Sequence, residues 1–407
     1  MHKNNIIKLL NLQVKSLNLK DFFIEFVNNS LIIHISKKIS QHECPCCKSK
    51  TTKIHDHRLQ KIKHPKINGF PTFIYLKKTR LECKNCGKSF YMDYSDIVNY
   101  RFRCSNLLFI AIINDIQSTS MTIKDIALKH NVSPGVVVRY IHIFAHLMNW
   151  NNITSLPEHI GIDEFKGNCN HSKYLLHIYN LDTKETITVL KSRKFSDLID
   201  FFNSIDNRNN VKIVTMDLYN TFKHAVNSKL KKSIIVADRF HYTRVVANAL
   251  DKFRLSLWHN SKNDEKKFFK NIKLALLKDA TLIPKDKIIE HDAKLNKAFE
   301  FSGDLKYAYQ LYQSFLRIKD GSSYDEKAKL FKDWLSDALG STLDPFRSAA
   351  KTLLQWHKEI LNSFKTSYTN SSTEGKNNKI KAIKRNAFGF RNLDNLKYII
   401  KLRDCKI

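Results

Sequence analysis

Residues 159–165 read HIGIDEF, residues 211–217 read VKIVTMD and residues 233–238 read SIIVAD. Each is a short run of Ile and Val with an aspartate at or near its end. Such runs suit buried strands, because β-branched side chains pack well on a pleated surface. Between the first two lie KYLLHIYNLD (173–182) and ETITVLKS (185–192), two more strands joined by a tight turn at Asp182-Thr183-Lys184. FSDLIDFFNS (195–204), LYNTFKHAVNSKL (218–230) and RFHYTRVVANALDKF (239–253) have helical patterning, the first of them amphipathic. Three antiparallel strands followed by helix, strand, helix, strand and helix is the order of a ribonuclease-H-like fold.

In that fold the strand carrying Asp163 and the strand ending in Asp217 are central neighbours, so two acids far apart in sequence converge. Hard divalent cations take oxygen ligands, and two-metal phosphoryl transfer needs carboxylates that hold two ions about 3.5–4 Å apart. A third acid must come from a helix packed on these strands. The segment TEGKNNKIKAIKRNAFGFRN (373–392) offers Glu374, the only acid between Glu359 and Asp394. At helical spacing Glu374, Asn378, Lys381 and Arg385 share one face, while Ile380, Ile383 and Ala387 share another. This division gives Glu374 metal duty and leaves Lys379, Lys381, Lys384 and Arg385 for phosphates. An aspartate closing a buried strand is also a common helix cap. Asp238 is a rival or helper to the set. Glu164 is weaker, because successive strand residues point to opposite faces.

The front of the chain reads differently. FFIEFVNNSLIIHI (22–35) suggests a β-hairpin around Asn28-Asn29. Cys44 and Cys47 form one C-x2-C pair, and Cys83 and Cys86 form a second, on either side of strand-like sequence. Four thiolates so spaced are the signature of a zinc ribbon, in which a closed tetrahedral site replaces a core too small to hold itself. Cys46, inside the first knuckle, leaves the ligand choice open; His55, His57 and His64 are nearby alternatives, better read as surface or phosphate-contacting residues. Residues 106–148 then read as helices with short breaks. Ile123, Ile126 and Ala127 share a face, and Asn131 sits where a left-handed residue is wanted. Ser133 suits an N-cap, Pro134 the first helical position, and Arg139 points outward. This is a helix-turn-helix pattern with 134–145 as recognition helix, although an ordinary helical hairpin shares it. The basic zinc ribbon alongside favours DNA.

Composition agrees. The chain of 407 residues carries 69 basic against 38 acidic residues, a formal charge of +31, and is 43% hydrophobic. So large a surplus points to nucleic acid or an anionic surface, with AT-rich codon usage accounting for part of the lysine. No stretch approaches the roughly 20 apolar residues that span a bilayer, and the start lacks a signal-peptide core, so a cytoplasmic, nucleoid-associated protein is expected. In a reducing compartment paired cysteines serve metals rather than disulfides. From about Leu257 to Phe364 the sequence turns helical throughout, with aromatics among lysines, and reads as an all-α insertion.

Taken together, CPCC (44–47), IHDHR (54–58), RLECKNCGKSF (80–90), GIDEF (161–165), MDLYNTFKHAV (216–226), IVADRFHYTRVVANALDKFR (235–254) and TEGKNNKIKAIKRNAFGFRNLDNLK (373–397) resemble the ISL-three family of bacterial insertion-sequence DDE transposases. The resemblance covers nearly the whole chain and implies a multidomain α+β and α/β protein. Its parts would be an N-terminal hairpin (1–40), a zinc ribbon (41–95), a helix-turn-helix (100–150), the first part of a ribonuclease-H-like core (155–257), a helical insertion (258–363) and a core completion (364–407). Asp163, Asp217 and Glu374 match the family's catalytic acids, and Asp238 a recurrent acid of open role. Implied too are a structural Zn2+, two catalytic Mg2+ or Mn2+ ions, and a homodimer or larger assembly on terminal inverted repeats and target DNA. Ser133, Arg139, Lys379, Lys381, Lys384 and Arg385 would contact DNA. One departure is Lys48, where a glycine is expected after the first knuckle. A non-catalytic DNA-binding regulator and a nuclease without strand transfer are the alternatives.

Overall fold

A computed structural model describes residues 14–99, 102–117, 121–169, 172–368, 371–387 and 390–404. The chain is a mixed α/β protein of two compact units, one formed by Met1–Asn151 with 382–389 and 394–407, the other by Asn152–Lys381 with 390–393.

In the first unit, β1 (Phe23–Val27) and β2 (Ser30–Ser36) pair antiparallel, with Val27 opposite Ser30. The two residues between them, Asn28 and Asn29, have φ of 46° and 57°. A two-residue hairpin turn needs positive φ at both positions, and Asn tolerates it. Two-residue strands β3 (His42–Glu43) and β4 (Lys50–Thr51) precede the long hairpin β5 (Ile54–Ile67) and β6 (Phe70–Glu82), which turns at Asn68-Gly69. The short β7 (Ser89–Tyr91) pairs with β6. The sheet order is β1-β2-β6-β5, with β2 parallel to β6. The hairpin expected as a separate segment and the ribbon's long strands thus share one sheet. Ile33, Ile35, Ile62, Ile74, Leu76 and Leu81 unite them in one core.

Three helices follow: α1 (Asn106–Gln117), α2 (Ile123–Lys129) and α3 (Pro134–Leu147). A capping box between Thr122 and Asp125 starts α2, and Ile126 and Ala127 are buried on it. Asn131 is left-handed, with φ of 52°. Pro134 opens α3, whose Val137 and Tyr140 are buried while Arg139 is exposed. Ser133 occupies the N-cap position, yet its hydroxyl makes no capping hydrogen bond, so the expected cap is positional only.

The second unit is built on β8 (His159–Cys169), β9 (Ser172–Asn180), β10 (Thr186–Leu190), α4 (Phe195–Asn203), β11 (Ile213–Met216), α5 (Asn220–Lys229), β12 (Ile234–Ala237) and α6 (Arg239–Asn260). Its sheet runs β10-β9-β8-β11-β12, antiparallel through β10, β9 and β8 and parallel through β8, β11 and β12. Leu198 and Phe202 of α4 and Phe222, Ala225 and Val226 of α5 pack with Ile160, Ile162, Val214 and Met216 of the strands. After α6 the described chain is helical: α7 (Asn263–Asn271), α8 (Lys273–Leu276), α9 (Ile288–Phe301), α10 (Gly303–Arg317), α11 (Tyr324–Gly340), α12 (Asp344–Gln355) and α13 (His357–Lys365). They enclose a core of Leu305, Phe331, Trp334, Phe346 and Ile360 against Val246 and Leu250 of α6. Asn362 of α13 donates to the Ile235 carbonyl at 2.8 Å, covering the edge strand β12.

Helix α14 (Ser371–Asn386) follows, then α15 (Leu393–Asp404). The expectation that 364–407 completes the second unit differs from the structure: 394–407 belong to the first. The reason is the face of α15, where Leu396, Ile399, Ile400 and Leu402 are buried. Tyr398 and Lys397 both donate to Asn151 Oδ1, and Arg403 donates to the carbonyls of Ile116 and Met121.

Gly161 sits opposite Tyr179 on β8, and a Cβ there would meet the tyrosine ring at 2.1 Å. Tyr179 is fully buried, so the ring has nowhere to go. Gly161→Ala is expected to cost about 1–3 kcal/mol, read as a lower urea midpoint, because overpacking forces strand or ring to shift.

Candidate functional site

The parallel register of β8, β11 and β12 builds the site. Ile162 lies opposite Met216, and Met216 opposite Ala237. The next residues are Asp163, Asp217 and Asp238, so three carboxylates stand side by side on neighbouring strands. All three are buried. Their grouping is costly. Burial, and then the charges of Asp163, Asp238 and Glu164, push the Asp217 carboxyl up to about 9.

His241, one turn into α6, completes the cluster. Its Nε2 lies 3.0 Å from Asp217 Oδ1 and 3.8 Å from Asp238 Oδ2. Burial, with Arg244 nearby, lowers the imidazole below its ordinary value, so the ring is neutral at neutral pH. The 3.0 Å approach lacks hydrogen-bond geometry, and Asp217 Oδ1 is buried without a hydrogen-bond partner among the described residues. Ligand atoms of Asp217, Asp238 and His241 lie within 4.8 Å of one another. An orphaned carboxylate oxygen among converging acids fits a divalent cation. Glu164 is engaged elsewhere, with Arg193 at 2.8 Å.

His241 was missed from sequence. The available signal was its spacing, three residues after Asp238, which returns it to the strand ends on the first turn of α6. Glu374 falls in α14, but its side chain lies outside the described residues. On the same helix Ile380 and Ile383 are buried, Lys381 and Arg385 exposed, and Lys379 and Lys384 half-buried.

In the first unit Cys44, Cys47, Cys83 and Cys86 converge, with sulfurs within 4.8 Å of one another. The Sγ–Sγ distances are 3.6 Å for Cys44 to Cys86 and 3.5 Å for Cys47 to Cys83. Two equivalent turns make the cluster. Lys48 N donates to the Cys44 carbonyl, and Gly87 N to that of Cys83. The hydroxyl and backbone of Ser49 pull the Cys47 thiol down to about 5, so it presents a thiolate at neutral pH. Cys46 is exposed and outside the cluster. His57 and His64 instead contact Thr79 and Ser105, and His55 contacts Arg80.

Residues 160–400 match the DDE ISL3 family model, described as a transposase, and residues 40–86 match the zinc-finger of transposase IS204/IS1001/IS1096/IS1165. The chain belongs to this family of insertion-sequence transposases. It is similar to a transposase for insertion sequence element IS1001 from Bordetella parapertussis, at 19% identity over 381 residues, 92% of this chain and 91% of the relative. A stretch of 109 residues, 27% of this chain, is 31% identical to a Lactococcus lactis subsp. lactis protein described as an ATP-dependent protease, of which it spans 34%. The four-cysteine cluster falls within the zinc-finger match, which assigns it a structural zinc ion. Among the described residues no helix is long and apolar enough to cross a membrane.

Lys48 and Gly87 occupy matching left-handed positions, with φ of 59° and 70°. Lys48→Gly should therefore raise the stability of the zinc-loaded protein by about 1 kcal/mol, measured as a higher urea midpoint.

Asp217 makes stability pH-dependent. Its carboxyl is protonated in folded and unfolded chains below the ordinary value of 3.8, and the burden appears as pH rises towards about 9. In that window unfolding releases a proton that the folded state keeps, so stability falls with rising pH. Asp217→Asn should flatten this slope and raise the Tm of metal-free protein at pH 8 by about 1–3 °C, the effect of one or two kcal/mol on a chain of this size. Mn2+ should raise the Tm of the parent protein and not that of the variant.

Proposed function

We propose that the chain is a DDE transposase that cleaves the ends of its own element and joins the freed 3′-hydroxyls to target DNA. The observation that carries this reading is the line of Asp163, Asp217 and Asp238 at matching ends of neighbouring strands, with Asp217 pushed up to about 9. Carboxylates so buried and crowded need a cationic counter-charge. The strand order supports a ribonuclease-H-like core.

Asp163, Asp217 and Glu374 would hold two Mg2+ or Mn2+ ions. When bound, these ions supply activation of the attacking water or hydroxyl and neutralise charge at the leaving oxygen. Asp238 flanks the pair, and His241 adds a neutral nitrogen, a ligand that Mn2+ accepts more readily than Mg2+. The zinc ribbon and the α2–α3 pair would recognise the terminal inverted repeats, with Ser133 and Arg139 on the DNA side of α3. Lys379, Lys381, Lys384 and Arg385 would meet phosphates beyond Glu374. Concerted cutting of two ends calls for a homodimer or larger assembly on DNA, in the bacterial cytoplasm at the nucleoid.

The test is Mg2+-dependent cleavage of a duplex carrying the element's ends. Asp163→Asn and Glu374→Gln should each slow cutting at least about 100-fold while DNA binding persists. If either variant cuts as well as the parent protein, the assignment of that carboxylate fails. Cleavage without joined products would mark a nuclease, and tight binding without nicking a DNA-binding regulator.

A further inference from the structure

The first unit holds a cleft of about 1230 Å³ bounded by β5, β6, the segment around Arg103 and the start of α3. Its charged lining is all cationic: Arg58, Lys61, Lys63, Lys78, Arg103 and Arg139. Among the described residues no carboxylate lines it. Lys63 donates to the Asn131 carbonyl at 2.7 Å, while the other five have no ion-pair partner among those described. Four acids of this unit pair with cations that do not line the cleft: Asp96 with Lys37, Glu82 with Lys53, Asp56 with Arg80 and Asp115 with Lys129.

Two of the cations are held in place by aromatic rings rather than by anions. Lys61 Nζ lies 4.1 Å from the Phe73 ring centroid, and Lys78 Nζ 5.5 Å from that of Tyr91. Such contacts orient an ammonium and leave its charge uncancelled. Burial lowers the Lys78 ammonium below its ordinary value, a cost that a bound anion would offset. A concave wall of one sign also focuses its field on whatever enters. A single small anion would satisfy one or two of five separated cations. A polyanion with regularly repeated charges satisfies them together. Its lining includes Arg58, Lys61 and Lys63 of the edge strand β5, and Val132, Val136 and Arg139 at or beside the first turns of α3.

We propose that this cleft is a track for one phosphodiester strand of duplex DNA, the strand bordering the groove that α3 enters, with Arg58, Lys61, Lys78, Arg103 and Arg139 on its phosphates. The inference rests on α3 being the recognition helix, and it adds a sequence-independent contact surface that the recognition helix alone lacks.

The test uses full-length, zinc-loaded protein and a fluorescent duplex of random sequence, with anisotropy titrations at several salt concentrations. Log affinity falls with log salt by about 0.9 for each phosphate neutralised. Lys61→Ala with Arg103→Ala should lower that slope by about 1.8, whereas Lys61→Arg with Arg103→Lys should keep it. Unchanged slope and affinity in the alanine pair would overturn the proposal, as would tighter binding of single-stranded DNA or RNA than of the duplex. Strand cleavage is scored separately. A parent protein that never cuts but shows the expected slope change leaves the cleft intact and sinks the transposase reading, while normal cutting with an unaltered slope does the reverse.

Discussion

The parallel pairing of β8 with β11 and of β11 with β12 is the constraint on which the carboxylate cluster depends. Because side chains alternate along a strand, a slip of one residue in β11 would carry Asp217 to the other face of the sheet. Burial prevents that slip. Ile160, Ile162, Val214 and Met216 must all reach the layer formed by α4 and α5, and a one-residue slip would turn half of them away from it. The hydrophobic effect on one side thus positions charges that repel one another at the strand ends. Nothing in the carboxylates themselves favours their meeting.

The two units handle charge in opposite ways. In the second, negative groups are drawn together in a buried place where their neighbours make ionisation expensive, as the raised Asp217 carboxyl records. In the first, cations gather in a cleft with no carboxylate in its described lining. Neither arrangement serves the stability of the isolated chain. The proposed partners, a divalent cation for the carboxylates and a polyanion for the cleft, would offset both.

Much of this was legible in the residues. The C-x2-C spacing picked out four cysteines that do converge, and the Asn pair at 28–29 and Asn131 marked chain reversals that the backbone does adopt. The apolar runs gave the strands, and the aspartates at their ends gave the carboxylates. Lys48 was visible as a departure, and the structure supplies its meaning, a left-handed residue where glycine would be unstrained. Other features were out of reach. Whether Cys46 or a histidine joined the thiol cluster depended on which sulfurs meet in space. His241 looked like one more helical residue until the sheet placed Asp217 beside it. The side of the molecule to which the final helix belongs was hidden for the same reason, since its apolar face fits any core with room for it.

The sequence by itself determined the local events: where strands, turns and helices begin, which cysteines can form knuckles and which acids close buried strands. These follow from interactions within a few residues, namely backbone preference, side-chain periodicity and capping. Tertiary structure alone decided the parallel joining of β2 to β6, the alignment of three aspartates, the addition of His241 and the opening of a cationic cleft. Each of these requires segments far apart in the chain to meet. Their meeting is governed by which apolar faces bury one another, a quantity that belongs to no single stretch of residues.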